Sequence, residues 1–140
     1  VNEDFWLSRL FGPEMKDVAG YIRYSQRLRD AASPLVRDLL LMGVSVVLDF
    51  PANTPAMRSW MRTLFETVGA DHRLHFLDVP DEICKARLRV RNAAGTHDFA
   101  ASDAQFEQIT RYFVPPSEAE GFNVIRHAPA SENERLAQIS

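Results

Sequence analysis

The chain has 140 residues, 46% of them hydrophobic and 25% charged, which is typical of one globular domain with a substantial core. Its formal net charge of −3 gives no general attraction to nucleic acid or to an anionic membrane. No apolar run has the length of a membrane-spanning helix, and the single cysteine, Cys84, excludes an internal disulfide framework. The composition therefore indicates a cytoplasmic protein with neither nucleic acid nor membrane as a partner.

The first third of the chain is predicted to be helical. An apolar cluster at helical spacing, Phe5 to Phe11, is stopped by Gly12-Pro13, and a basic helix is expected from Val18 to Arg29. Ser33 and Pro34 suit the N-cap and the first position of a new helix, so we expect one helix to end and another to begin there.

The segment from Val44 to Phe50 is the most informative stretch. It is short, apolar and rich in β-branched residues, with Gly43 before it and Pro51 after it. This pattern predicts a strand that is buried on both faces of a parallel sheet. Asp49 would then lie at the carboxyl end of the strand, where open α/β sheets bind ligands. The alternative is that Asp49 only caps the following turn.

The second half alternates between helix and strand signals. Thr54-Pro55 opens a helix with a clear apolar stripe from Met57 to Val68, and Ser102 with Gln105 forms a capping-box pattern. After that helix we expect a strand over 74–79, a helix over 81–92 and a mobile loop over 93–101. A helix with Phe106, Ile109 and Phe113 as its buried stripe follows, and then a strand over 122–125 and a helical tail over 131–139. Alternating helices and strands predict an α/β fold with a parallel sheet.

Two arginines in the helix over 81–92 attract attention. At about 100° per residue, Arg87 and Arg91 fall within the arc of the apolar face, whereas Lys85 and Arg89 fall toward water. Guanidinium groups on the inward face of a helix are costly unless an anion meets them, and Arg suits bidentate contact with phosphate. The alternative is that both arginines pair with carboxylates of the protein or extend to the rim of the apolar face.

Three other residues are candidates with less support. Asp4 follows a predicted strand end and is either a base or a helix cap, and Arg58 lies at the edge of its helix's apolar stripe, where it contacts a ligand or only solvent. His97, in the predicted loop, is the histidine to follow. No His/Cys/Asp spacing indicates a zinc site, and no Ser/His/Asp signature occurs.

The order of these parts resembles a known family. The parts are, in this order, an acidic residue near the start, two helices, GVSVVLD, an arginine-bearing helix, a strand ending in LDVP, the segment DEICKARLRVRN, a loop and PPSEAEGFNVI. The whole set is similar to the small P-loop kinases. The similarity is to the AAA-type ATP-binding, zeta-toxin-like and chloramphenicol-phosphotransferase-like group, and it covers nearly the whole chain. It implies a three-layer fold with helices around a parallel sheet in the strand order 2-3-1-4-5.

The resemblance also implies a function, the transfer of the γ-phosphoryl group of ATP, with Mg²⁺, to a small-molecule acceptor. Asp4 matches the acidic residue that contacts the acceptor and can serve as general base. Asp49 matches the Walker B carboxylate that holds Mg²⁺ through water. Arg87 and Arg91 match the lid arginines that embrace the phosphates, and Arg58 matches an acceptor-side or phosphate-side contact.

The family's phosphate-binding motif, G-x-x-x-x-G-K-[ST], is absent, because no glycine in the 140 residues is followed by lysine. In the family this motif follows the central strand. We therefore expect residues 1–140 to form a single kinase-like domain whose central strand precedes Val1. Two functions stay open: an ATP-dependent small-molecule kinase, and a non-catalytic nucleotide- or protein-binding module without turnover. The sequence specifies neither the acceptor nor the oligomeric state.

Overall fold

A computed structural model describes residues 1–95 and 99–129 of the chain. Over these ranges the elements are α1 (Glu3–Phe11), α2 (Val18–Leu41), α3 (Pro55–Glu66), β1 (Leu74–Leu77), α4 (Asp81–Ala94), α5 (Asp103–Thr110), a 3₁₀ helix at Glu118–Glu120 and β2 (Val124–His127). The predicted helical tail and His97 lie outside the described residues. Helices and parallel strands alternate, as in an α/β fold, but the sheet is smaller than the predicted one.

The strands β1 and β2 pair in parallel, with Leu74 opposite Val124 and Leu77 opposite His127. Backbone hydrogen bonds extend the ladder at both ends, from Leu74 to Asn123 at 2.8 Å and from Asp78 to His127 at 2.9 Å. Parallel neighbours need a long crossover, which α4 and α5 supply here. The predicted parallel pairing is confirmed, although the sheet has two strands in the part of the chain that the structure describes.

The prediction that residues 44–50 form a strand buried on both faces was wrong. Only Asp49 pairs there, in a single parallel bridge with Asn2. The side chains of Val44 and Val47 are 45% and 79% exposed, whereas Phe50 is buried. Residues 1–3 lie along one edge of this segment, and no described strand lies along the other. Without a second neighbour, β-branched residues alone do not make a buried strand.

The predicted helix break at Ser33 was also wrong, because α2 runs through it with Pro34 inside. The Ser33 hydroxyl donates to the Arg29 carbonyl at 2.6 Å instead of capping a new helix. It also accepts a hydrogen bond from the indole nitrogen of Trp60 at 3.0 Å. These bonds, together with the burial of Leu28 and Val36 on either side, stabilise a continuous helix across a residue that cannot donate.

The core lies where α1, α2 and the start of α3 meet. Leu7, Leu28 and Phe50 form a buried cluster, and Phe50 packs against Trp60 with their ring centroids 5.4 Å apart.

The predicted start of α3 is confirmed, since the Thr54 side chain accepts a hydrogen bond from the third helical residue and Pro55 takes the first helical position. Along the described stretches, no helix combines the length and the apolar composition that crossing a bilayer requires.

The helices α4 and α5 meet through polar contacts. Lys85 pairs with Glu107 at 3.0 Å, and the Arg89 Nε donates to Asp103 at 3.1 Å. Lys85 is 18% exposed, which corrects the prediction that it lies toward water, whereas Arg89 pairs with α5 but stays 63% exposed, as predicted. The capping box at Ser102 is confirmed. The buried stripe predicted for α5 is not found, because none of its residues is buried and Ile109 and Phe113 are 54% and 37% exposed.

Candidate functional site

The structure brings two acidic segments together at the start of α1. The Asp49 backbone pairs with residues 1–3, and the Asn2 amide donates to the Asp49 Oδ2 at 2.6 Å. The Asn2 side chain also caps α1 by accepting from the Phe5 backbone at 2.8 Å. Asp4 lies half-buried in the first turn of that helix, two residues beyond Asn2. Asp4 therefore follows closely after Asn2, the residue whose amide orients the exposed carboxylate of Asp49.

Beneath these residues lies a buried carboxylate that the sequence analysis missed. Glu3 is 1% exposed and accepts hydrogen bonds from the Tyr21 hydroxyl at 2.9 Å and from the Ser25 hydroxyl at 2.5 Å. Arg29 donates to the same Ser25 oxygen at 3.1 Å. The pKa of the Tyr21 hydroxyl is raised, mainly by burial and in addition by the nearby Glu3 carboxylate. The network fastens the first turn of α1 to α2.

A signal for Glu3 was present in the sequence. Tyr21 and Ser25 are four residues apart, so their hydroxyls lie on one face of a helix, where they can meet one acceptor. An acidic residue in the first turn of a helix is usually solvated, however, and favourable interaction with the helix dipole is sufficient to explain it there. The partner that buries Glu3 is far away in the sequence, and local patterns do not identify it.

Arg58 lies in α3, where it is completely buried. Its Nε and Nη2 donate to the two carboxylate oxygens of Glu120 at 2.6 and 2.9 Å, and its Nη1 donates to the carbonyls of Ala52 and Val114 at 2.7 and 2.8 Å. The hydrogen bond from Arg58 is the main cause that lowers the pKa of Glu120 to about 2. With its guanidinium so committed, Arg58 fits a structural role, and we propose that role in place of an acceptor contact.

Arg87 and Arg91 lie on an exposed face of α4, not on the inward face predicted for them. The buried residue of α4 is Leu88, and the ion pairs with α5 are formed by Lys85 and Arg89. Together with Ala86 and Val90, the two arginines share one open face of α4. Neither guanidinium forms an ion pair with a carboxylate of the residues that the structure describes.

The predicted site residues thus form two groups and one structural pair. Asp4 and Asp49 lie on adjoining segments at the start of α1, and Arg87 and Arg91 share one face of α4. Over residues 1–95 and 99–129, no hydrogen bond or ion pair joins the acidic group to the two arginines. Both arginines are exposed and have no carboxylate partner within the described ranges, and a guanidinium group suits bidentate contact with phosphate.

A magnesium ion fits the acidic group in one respect. The Asn2 amide occupies Oδ2 of Asp49, and Oδ1 makes no hydrogen bond to a described residue. Mg²⁺ keeps several water ligands and needs only one or two carboxylates from a protein, so a single oriented carboxylate suits a water-mediated contact. Over the described ranges, no group of three or more His, Cys, Asp or Glu residues could hold a metal without water.

Comparisons with known proteins agree with the resemblance in the sequence. A family model for an AAA domain matches residues 1–116, which is most of the chain. No curated protein matches the chain. The matched region includes every residue of the acidic group, the α4 arginines and Arg58, and it stops before Glu120.

Proposed function

The chain belongs to the AAA-domain family of P-loop NTPases, and from that premise we propose that it transfers the γ-phosphoryl group of ATP to a small-molecule acceptor. Domains of this family generally bind nucleotide and Mg²⁺. The observation that carries the proposal is the parallel bridge between Asn2 and Asp49, which sets an exposed, oriented carboxylate beside the first turn of α1. Asp4, in that turn, is the second acidic group that such a reaction uses.

In this proposal, bound ATP and Mg²⁺ supply the phosphoryl group and the neutralising cation. Asp49 would hold Mg²⁺ through water with its Oδ1, while the Asn2 amide donates to Oδ2 and fixes the orientation of the carboxylate. Asp4 accepts the proton of the acceptor hydroxyl as general base. Arg87 and Arg91 donate hydrogen bonds to phosphate oxygens and offset their charge. The buried Glu3 network keeps the turn that carries Asp4 in place.

The test is calorimetric titration of the full-length protein with a non-hydrolysable ATP analogue, with and without MgCl₂. We expect Arg91→Ala to weaken binding about tenfold, which is about 1.4 kcal/mol, because a charge-assisted contact to phosphate is lost. Asp49→Asn should reduce the gain in affinity that Mg²⁺ gives, while binding without metal changes little. Arg73→Ala and Asp71→Asn are the matched controls, since both residues are exposed and belong to neither group.

An unchanged affinity in Arg91→Ala would contradict the phosphate contact, and an unchanged effect of Mg²⁺ in Asp49→Asn would contradict the metal contact. Absence of any nucleotide binding by the full-length wild-type protein would overturn the proposed function as a whole. A loss of equal size in Arg73→Ala would show that the effect is one of general charge and not of the α4 face.

The alternative function is that of a non-catalytic module, which keeps the fold and binds a nucleotide or a protein without turning ATP over. Consumption of ATP by the full-length protein, lost in Asp49→Asn, would exclude this alternative. Nucleotide binding without any ATP consumption across a panel of hydroxyl and phosphate acceptors would support it over the kinase.

A further inference from the structure

Two histidines meet on the sheet, far from the acidic group along the chain. The His75 Nδ1 lies 2.9 Å from the His127 Nε2, and both side chains are exposed. Their ring centroids are 5.2 Å apart and their planes differ by 21°, so the rings lie nearly side by side with these two nitrogens between them. The residues are 52 positions apart in sequence, and no local spacing reveals the pair.

The fold holds the two histidines in this arrangement. In the parallel register His75 is opposite Ile125 and His127 is opposite Leu77, so the histidines are diagonal neighbours on one face of the sheet. The ladder continues beyond both strand ends through backbone bonds at Leu74 and Asp78. The backbone positions of the pair are therefore fixed by main-chain hydrogen bonds that do not involve the imidazole rings.

We propose that His75 and His127 form a two-nitrogen site for a borderline divalent transition-metal ion such as Ni²⁺, Cu²⁺ or Zn²⁺. Two nitrogens bound to one ion at about 2.0–2.1 Å, with an angle of about 90–110° between them, lie about 2.9–3.4 Å apart. The separation in the structure is 2.9 Å, at the lower end of this range. Because the two nitrogens lie nearly on the line between the ring centroids, each ring has to turn by about 35–45° before its lone pair points at a shared ion, and the exposure of both rings leaves room for that turn.

Metal binding needs no proton to leave the neutral pair. One ring donates the hydrogen that the two nitrogens share, and that ring can carry the hydrogen on its other nitrogen instead. Both facing nitrogens then present lone pairs, and two metal–nitrogen bonds replace one hydrogen bond. Each ring keeps one hydrogen, on the nitrogen that points away from the metal, as is usual for a histidine ligand.

The surroundings define the class of ion. Imidazole suits Ni²⁺, Cu²⁺ and Zn²⁺, whereas Mg²⁺ prefers oxygen ligands, so this site is chemically distinct from the one proposed at Asp49. Arg126, the neighbour of His127, points to the opposite face of the strand and pairs with Asp78, which offsets its charge. No third protein ligand joins the two histidines among the described residues, so water completes the coordination. We therefore expect a dissociation constant in the micromolar range.

The experiment is calorimetric titration of the full-length protein with NiCl₂ in a buffer that does not chelate metals, with MgCl₂ as the comparison ion. Wild type should bind one Ni²⁺ at this site, and His75→Gln and His127→Gln should each weaken that binding about tenfold or more. His72→Gln is the control, because the His72 Nε2 already accepts a hydrogen bond from the Asn123 backbone, and it should leave Ni²⁺ binding unchanged. The proposal would be overturned if wild type showed no saturable binding of Ni²⁺, if either site variant bound Ni²⁺ as tightly as wild type, or if His72→Gln lost as much affinity as the site variants.

A spectroscopic measurement on wild type does not depend on the folding of any variant. Electron paramagnetic resonance of the protein with one equivalent of Cu²⁺ should show hyperfine coupling to two imidazole nitrogens. Coupling to a single nitrogen, or to none, would contradict the site. Far-ultraviolet circular dichroism of the two glutamine variants should match wild type, because both rings are exposed and the ladder bonds are main-chain bonds.

Discussion

Two buried charged residues each tie distant segments together. Glu3 joins α1 to α2 through the hydroxyls of Tyr21 and Ser25. Arg58 joins α3 to the loop before it and to the segment between α5 and β2, through Ala52, Val114 and Glu120. A buried charged or polar group needs its hydrogen bonds satisfied, because removal of a partner leaves that group desolvated and unpaired. These residues are therefore fixed points of the fold.

The pair of Arg58 and Glu120 makes stability depend on pH. Because the pKa of Glu120 is lowered from 4.5 to about 2 in the folded chain, its ionised form stabilises folding above pH 4.5. That contribution should decrease as the pH falls from 4.5 toward 2, since the unfolded chain takes up the proton first. At pH 7, Glu120→Gln should reduce the free energy of unfolding by about 3–5 kcal/mol, as measured by urea denaturation.

The matched control for this substitution is Glu66→Gln. Glu66 pairs with Arg62 at 2.9 Å, but its side chain is 53% exposed, so its loss should change the free energy of unfolding by less than about 1 kcal/mol. Between pH 4.5 and 2 the wild type should lose more stability than Glu120→Gln, whereas Glu66→Gln should follow wild type. Equal pH dependence in wild type and Glu120→Gln would contradict the role of this pair.

At the scale of elements, α2 is the clearest case of tertiary contacts overriding a local signal. Ser33-Pro34 is a typical helix start, yet the helix continues because α3 contacts it there through Trp60. Pro34 has no amide hydrogen to donate to the carbonyl of Asp30, and its ring crowds that carbonyl. The helix therefore retains a local defect that the surrounding contacts compensate.

Pro34→Ala should stabilise the chain by about 1 kcal/mol, because alanine restores the amide donor and has the higher helix propensity. The gain is smaller than the full cost of an interior proline, since proline also restricts the unfolded chain. The matched control is Pro55→Ala at the first position of α3, where proline is favourable and the change should be neutral or slightly destabilising. Urea denaturation measures both, and a similar loss in both variants would support two helices that meet at Ser33.

Across the whole molecule, the sequence was informative where short-range interactions decide the structure. The caps at Thr54 and Ser102 and the boundaries of α4 were predicted well, because an N-cap and its partner are three residues apart. The face that α3 buries was predicted correctly from its apolar stripe, but the buried faces of α4, of α5 and of residues 44–48 were not. Which side of α4 is covered depends on α5, and whether residues 44–48 are covered depends on a neighbouring strand. The same holds for the candidate site. The family resemblance pointed to Asp4 and Asp49, but not to Glu3, whose burial depends on residues distant in the sequence.

The burial of residues 44–48 gives a test of where the core lies. Val47 is 79% exposed, so Val47→Asp should change the free energy of unfolding by no more than about 0.5 kcal/mol. Leu64, in α3, is 2% exposed, and Leu64→Ala should cost about 2–5 kcal/mol through lost burial and the cavity that remains. Urea denaturation of both variants at one protein concentration makes the comparison. If Val47→Asp costs as much as Leu64→Ala, residues 44–48 are buried in solution, as the apolar pattern of the sequence predicts, and not exposed as in the structure.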